Sequence, residues 1–148
     1  MKIKDFTSSI EDIQGRTVKT VWSATSIKDL DGDVIADNAF TKTINERFKG
    51  SNLIYSLIDH KASLQTCLGK PKELYVESQK LYAVTDIVDT TLGNDILEHY
   101  KAGTINQHSI GFAVPNGKQM QREGYNEILE VKLYEGSAVL WGANPNTP

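Results

Sequence analysis

The fold class follows from residues 73–84, which read Glu73-Leu74-Tyr75-Val76-Glu77-Ser78-Gln79-Lys80-Leu81-Tyr82-Ala83-Val84. Apolar and aromatic residues of high β propensity occupy both ends of this stretch, and four polar residues separate them. Connections this short join the antiparallel strands of hairpins. We therefore predict a β-hairpin here and a protein built mainly from strands.

The same strand-like pattern recurs on both sides of the hairpin, whose second strand extends to Val88. The other runs that combine apolar and β-branched residues are 17–25, 53–58, 109–114, 127–134 and 137–141. These runs predict six to eight short strands.

Two segments predict helices. Asn38 is a suitable N-cap for a helix that ends before Gly50, and its apolar stripe comprises Phe40, Ile44 and Phe48. The second helix is predicted from about Leu92 to Ala102, with Thr91 as its cap and Gly103 as its terminator. Its inward positions are Leu92, Ile96, Leu97 and Tyr100.

Short strands combined with two helices predict a mainly β fold with flanking helices. We expect a closed or nearly closed, mostly antiparallel β-barrel surrounded by two or more α-helices. The length of 148 residues suits one domain over residues 1–148. Residues 1–16 are polar and weakly patterned, so we expect a loose N-terminal segment there and a core over 17–145.

Composition excludes several classes of protein. Sixteen Lys and Arg residues against 19 Asp and Glu residues give a net charge of −3, which argues against nucleic-acid binding. Cys67 is the single cysteine, so neither an internal disulfide nor a thiolate zinc site is expected. The chain has no apolar run near 18 residues and no apolar signal-peptide core at its N-terminus. We expect a soluble, intracellular protein without membrane contact.

The candidates for chemistry are serine and histidine side chains. His60 ends an apolar run and His108 directly precedes Ser109, whereas His99 falls on a solvated position of the second predicted helix. Histidine is suited to proton transfer near neutral pH, and serine needs such a base to act as a nucleophile. Alternation in a strand places Ser109 and Gly111 on one face and His108 on the other.

Other site types are less well supported by the pattern. The Gly-x-Ser-x-Gly motif is absent around Ser109 because Gln107 replaces its first glycine. A metal site from His60 and His108 is a third possibility, although no ligand pair has the i, i+4 spacing. The run Asp29-Leu30-Asp31-Gly32-Asp33 lacks the glycine position and distant glutamate of a calcium loop, so we expect a solvated turn.

Nine short blocks, in order along the chain, resemble the prohead protease family of tailed bacteriophages. The blocks are Asp31-Gly32-Asp33-Val34-Ile35 with Asn38-Ala39-Phe40, Asp59-His60, Gly69-Lys70, Leu81-Tyr82-Ala83-Val84, Thr91-Leu92-Gly93, Lys101-Ala102-Gly103-Thr104-Ile105, Ser109-Ile110-Gly111-Phe112, Leu133-Tyr134-Glu135-Gly136-Ser137 and Ala143-Asn144-Pro145. That family cleaves capsid and scaffold segments during head maturation, and its fold is distantly similar to that of the herpesvirus assemblin proteases. The resemblance therefore implies a serine endopeptidase domain with an assemblin-like barrel.

The resemblance also implies roles for three residues. Ser109 matches the nucleophile, His60 matches the general base, and Glu135 matches an acidic position that would orient His60. The result is a Ser-His dyad or a Ser-His-Glu triad. Assemblin-like enzymes use a histidine as the third member, and Glu130 and Asp59 compete with Glu135 for that role here.

The implied substrates are the phage major capsid protein and scaffold segments. The protease chain itself is a further implied substrate. The implied location is the assembling procapsid in the host cytoplasm. The resemblance implies no metal or cofactor, and it leaves open whether the protein forms a homo-oligomer. Family members extend beyond the Ala143-Asn144-Pro145 region, so we expect the 148 residues to be a trimmed or self-processed core. The alternative function is a catalytically inactive capsid-assembly or scaffold-binding module of the same fold.

Overall fold

The computed structural model describes residues 2–7 and 10–141 of the chain. Within these ranges the strands are β1 (Lys2–Thr7), β2 (Ile10–Gln14), β3 (Thr17–Ala24), β4 (Asp33–Ile35), β5 (Tyr55–Ile58), β6 (Cys67–Gly69), β7 (Pro71–Glu77), β8 (Lys80–Asp86), β9 (Gln107–Ala113), β10 (Gln119–Arg122), β11 (Tyr125–Ile128) and β12 (Lys132–Val139). The helical segments are α1 (Thr41–Thr43), a π-helical segment (Ile44–Gly50), a 3₁₀ turn (Leu64–Thr66) and α2 (Thr91–Ala102). The predicted core limit at 145 and the Ala143-Asn144-Pro145 block lie outside the described residues.

The strands form three sheets. Their strand orders are β1-β9-β12-β5-β6, β2-β3-β8-β7 and β10-β11-β4. Most neighbouring strands are antiparallel, whereas β12 with β5 and β11 with β4 are parallel. The prediction of a mainly β fold with few helices is confirmed.

The prediction of a closed barrel is wrong, because each sheet of the described residues is open and ends in edge strands. The physical reason lies in how the apolar faces are covered. Trp22, Leu74 and Leu81 of the four-stranded sheet share one buried cluster with residues of the five-stranded sheet. The five-stranded sheet contributes Ile110, Phe112 and Leu133 to this cluster. Face-to-face packing therefore removes the apolar surface from water without ring closure of the hydrogen-bond ladder.

The N-terminal segment differs from the loose structure predicted for residues 1–16. It contributes β1, which pairs with β9, and β2, which pairs with β3. The buried Lys4 Nζ lies 2.7, 2.8 and 2.7 Å from carboxylate oxygens of Asp29, Asp31 and Asp33. The turn at residues 29–33, which was predicted to be solvated, thus supplies three carboxylates that accept hydrogen bonds from Lys4. This ion cluster of four residues holds β1 in place.

The first predicted helix is shorter than expected and has a different hydrogen-bond pattern. Its N-cap is Phe40 rather than Asn38, and most of the segment is π-helical. Its apolar stripe nevertheless lies against the core as predicted, since Phe40 and Ile44 are buried and Phe48 packs on them. Residues that should make a regular helix are therefore held by packing rather than by capping.

The second predicted helix agrees closely with α2. Thr90, one residue before the predicted cap, accepts a hydrogen bond from the Gly93 N–H at 2.9 Å. Gly103 ends the helix in the left-handed conformation, with φ 75°. Leu97 and Tyr100 are buried, and Leu92 and Ile96 pack against the same cluster. No helix within the described ranges has the length and apolar content required to cross a membrane.

Candidate active site

Ser109 lies in the middle of β9, which has β1 on one side and β12 on the other. Its direct partner across the ladder is Ser137 of β12. Directly opposite residues of an antiparallel pair project from the same face, with Cβ atoms about 4.5–5.5 Å apart. Ser109 and Ser137 are both completely buried.

His60 lies in a tight turn just beyond β5, which is the other neighbour of β12. Asp59 and His60 have φ angles of 53° and 57°, and the Lys61 N–H donates to the Ile58 carbonyl at 3.1 Å. The Asp59 N–H also donates to the Ala138 carbonyl at 3.1 Å. Two consecutive left-handed residues are costly, so the turn persists only because these contacts fix it. They hold the His60 imidazole beside β12.

Glu135 of β12 joins this histidine. Its Oε1 lies 2.5 Å from His60 Nδ1, and its Oε2 accepts a hydrogen bond from the Ser137 hydroxyl at 2.6 Å. Because a carboxylate oxygen accepts, Nδ1–H donates, and Nε2 becomes the nitrogen available to take a proton. The Ser137 hydroxyl also accepts the His60 backbone N–H at 3.0 Å. Glu135 is 4% exposed and Ser137 is completely buried, whereas the His60 side chain is partly exposed.

Two buried polar atoms of the site have no hydrogen-bond partner among the described residues: His60 Nε2 and Ser109 Oγ. Unsatisfied buried polar atoms are rare in folded proteins, and catalytic sites are one place where they occur. Catalytic hydrogen bonds are often long in substrate-free enzymes. His60 Nε2 and Ser109 Oγ therefore make no hydrogen bond to each other in this structure, and both are left without a partner among the described residues.

The structure separates His108 from this network. His108 Nε2 and the Tyr100 hydroxyl share a hydrogen bond of 2.7 Å, and both side chains are buried. Since His108 precedes Ser109 in β9, its side chain lies on the opposite face, as predicted. Burial lowers the pKa of His108 to about 3 and raises the pKa of Tyr100. A metal site that combines His60 with His108 is therefore not formed.

The competing acids do not join the imidazole. Asp59 is exposed. Glu130 borders a different groove, together with Asn38 and Lys42. Among the described residues, the acids close enough together to hold a metal are Asp29, Asp31 and Asp33, which already bind the Lys4 ammonium.

An open groove of about 720 Å³ borders the site, with His60 and Glu135 in its wall. Much of the wall is apolar, and Leu64 is 96% exposed there. The Arg47 guanidinium lies 5.1 Å from the centre of the Tyr134 ring and donates to the Leu133 carbonyl at 2.9 Å. The groove therefore offers a largely apolar surface next to the imidazole, and the buried Ser109 is not part of its wall.

Ser137 is the residue of this network to which the sequence analysis gave no role. Strand alternation in Glu135-Gly136-Ser137 places both polar side chains on one face. The sequence prediction leaves residues 135–136 between two separate strands, 127–134 and 137–141, and so does not use this alternation. The continuous β12 is what brings Ser137 beside His60.

Comparison with known proteins identifies the family of the chain. The sequence profile of the family described as Caudovirus prohead serine protease matches residues 9–148. The chain belongs to this family of prohead serine proteases. The resemblance stated from the sequence blocks is thereby confirmed. No curated protein matches the chain.

One solved structure similar to this prohead protease family member is that of the bacteriophage T4 capsid assembly protease, gp21. The TM-score is 0.73 at 13% sequence identity, and the match covers 95% of this chain and 97% of the T4 chain. At that identity the likeness supports a shared fold.

Proposed function

We propose that this prohead protease family member is a serine endopeptidase that cleaves capsid and scaffold segments, and its own chain, inside the assembling procapsid. Ser109 acts as the nucleophile, His60 as the general base and Glu135 as the group that orients His60. The observation that carries the proposal is the contact between His60 Nδ1 and Glu135 beside the strand that bears Ser109. Family membership supports the reaction class.

The chemistry follows from these positions. Ser109 Oγ attacks the scissile carbonyl carbon while His60 Nε2 takes the hydroxyl proton. His60 then gives that proton to the leaving amine, and the peptide bond breaks to leave an acyl-serine. Water, deprotonated by His60, hydrolyses the ester and regenerates Ser109. Glu135 stabilises the imidazolium that forms in each half of the cycle.

A fluorophosphonate probe tests the proposal without knowledge of the substrate sequence. Its phosphorus bonds to Ser109 Oγ, fluoride leaves, and His60 takes the hydroxyl proton. We expect labelling of the native protein and none of folded Ser109→Ala or His60→Ala protein. Labelling of Ser109→Ala at the native rate would disprove the nucleophile assignment.

Glu135→Gln tests the third role. An amide at this position can present its NH₂ group to Nδ1 and so favour the wrong tautomer of His60. We expect the labelling rate to fall about 10⁴-fold, as when the acid of a serine protease triad is replaced by its amide. Glu130→Gln serves as the control, because Glu130 borders another groove. A native labelling rate for Glu135→Gln would reduce the site to a dyad.

The alternative is a catalytically inactive module that binds capsid or scaffold protein through the same groove. The complete burial of Ser109 is the observation that favours it. The two functions are separated by incubation of the protein with capsid-protein peptides. Cleavage that depends on Ser109 supports the protease, and binding without cleavage or labelling supports the module.

A further inference from the structure

The Ser137 hydroxyl makes two hydrogen bonds, and both of them end on the proposed catalytic groups. It donates to Glu135 Oε2 at 2.6 Å and accepts from the His60 backbone N–H at 3.0 Å. A hydroxyl carries one proton, so that proton is committed to the carboxylate. Ser137 is therefore occupied as a bridge, which distinguishes it from the unpartnered Ser109 across the ladder.

Each of the two bonds restrains a different degree of freedom. The bond to Oε2 fixes the rotation of the Glu135 carboxylate and so directs Oε1 to His60 Nδ1. The bond from the backbone N–H holds His60 in its left-handed conformation, with φ 57°. Ser137 is completely buried, so water does not replace either bond when the hydroxyl is removed.

We infer that Ser137 is a positioning residue, which sets the tautomer and the orientation of His60 through Glu135 and through the His60 main chain. The inference rests on the proposed function of this site. Ser137 itself touches no reacting atom. Its effect is on how often the imidazole presents an unprotonated Nε2 to Ser109.

The test compares Ser137→Ala with Ser56→Ala. Ser56 is the matched control because it is a buried serine on the adjacent β5, and its hydroxyl bonds to Thr85 at 2.8 Å, away from His60. Nitrogen-15 NMR of the histidine rings reports which nitrogen carries the proton, and the signals of His60 are assigned with His60→Gln. Fluorophosphonate labelling supplies the second measurement.

We expect native and Ser56→Ala proteins to show the Nδ1–H tautomer of the neutral His60 ring. Ser137→Ala should show a mixture of both tautomers and a labelling rate reduced roughly 10- to 100-fold. Should Ser137→Ala fail to fold, Ser137→Cys replaces it. The thiol keeps a side chain of similar size but is a weaker donor, so the same change is expected to a smaller extent.

The inference would be overturned if the Ser137→Ala protein showed the native tautomer and the native labelling rate. The same result for Ser137→Cys, where that variant replaces Ser137→Ala, would also overturn it. Equal changes in Ser56→Ala would also overturn it, since the effect would then be a general loss of stability. If even the native protein is not labelled, the proposed function fails. The tautomer spectra then still decide whether Ser137 orients His60.

Discussion

His60 and His108 show how one fold gives the same side chain two different environments. His60 donates to a carboxylate and borders a groove, whereas His108 lies in the interior and is hydrogen-bonded to Tyr100. Burial disfavours the charged imidazolium and lowers the pKa of His108 to about 3, from 6.5. His108 therefore stays neutral in the folded protein over a wide pH range.

This burial makes the stability of the protein depend on pH. Below pH 6.5 the unfolded chain takes up a proton at His108 that the folded protein does not, so the stability contributed by neutral His108 is lost as the pH falls towards 3. We expect the free energy of unfolding to decrease by about 2 kcal/mol between pH 7 and pH 5 through this group alone. Urea unfolding at the two pH values measures it.

The matched variant is His108→Met combined with Tyr100→Phe, which removes both hydrogen-bond partners together. The free energy of unfolding of this double variant should decrease by about 2 kcal/mol less than that of the native protein over the same pH interval. An identical loss in both proteins would mean that His108 is protonated in the fold.

At the scale of elements, β12 determines the site. It lies between β9 and β5, and it carries both Glu135 and Ser137. Gly136 separates these two residues and faces Trp22 of the four-stranded sheet, where an added Cβ would overlap the indole ring. The missing side chain lets the two sheets approach, and the neighbouring residues point towards His60.

Gly136→Ala should therefore be destabilising by about 1–3 kcal/mol, the usual cost of overpacking a core. Trp22→Leu in the same chain should recover part of that loss, because the smaller side chain makes room for the methyl group. Urea unfolding of the two single variants and the double variant measures the coupling energy. Additive effects would show that the Cβ does not meet the indole.

Strands defined by local signals could be predicted from the sequence, whereas strands defined by distant contacts could not. The hairpin of β7 and β8 was predicted correctly because its turn and its alternation are local signals. Its turn residues, Ser78 and Gln79, both have the positive φ angles that two-residue hairpins require. The continuous β12 was predicted as parts of two strands, 127–134 and 137–141, because the reason for Gly136 between them is Trp22, more than a hundred residues away in the chain.

At the scale of the whole molecule, Lys4 joins β1 to the turn before β4 and so connects the five-stranded sheet with the three-stranded sheet. Burial alone lowers the pKa of Lys4, but the hydrogen bonds that its ammonium donates to Asp29, Asp31 and Asp33 outweigh that effect and raise the pKa. The ammonium is therefore charged at neutral pH. The sequence shows the acids and the lysine, but nothing local indicates that they meet.

Lys4→Met should lower the free energy of unfolding by about 2–3 kcal/mol, because it leaves three carboxylates together without their cation. Lys2→Met is the control, since Lys2 is exposed on the same strand. The unfolding midpoint in urea should shift for Lys4→Met and stay near the native value for Lys2→Met. Equal midpoints for the two variants would show that the ion cluster contributes no stability.

The family resemblance predicted the pairing of His60 with an acid. The closed or nearly closed barrel that the structure contradicts was predicted from the short strands and two helices, and the resemblance implied it as well. Strand count and alternation do not reveal whether edge strands meet, since this depends on how two sheets cover one another. The open arrangement of β1 and β6 is a property of packing between sheets. Local patterns in residues 53–58 and 109–114 identified the strands of the site, while their relative positions came from the fold.

The position of β12 in the sheet has a consequence for the timing of biosynthesis. β5 and β9 leave the ribosome before β12, yet β12 lies between them and supplies Glu135 to His60. Chains grow at about 5–20 residues per second, so the earlier strands wait several seconds without their central partner. During that interval the nascent polypeptide holds a serine and a histidine that cannot yet cooperate. The proposed site of Ser109, His60 and Glu135 is therefore assembled only after translation has passed Val139.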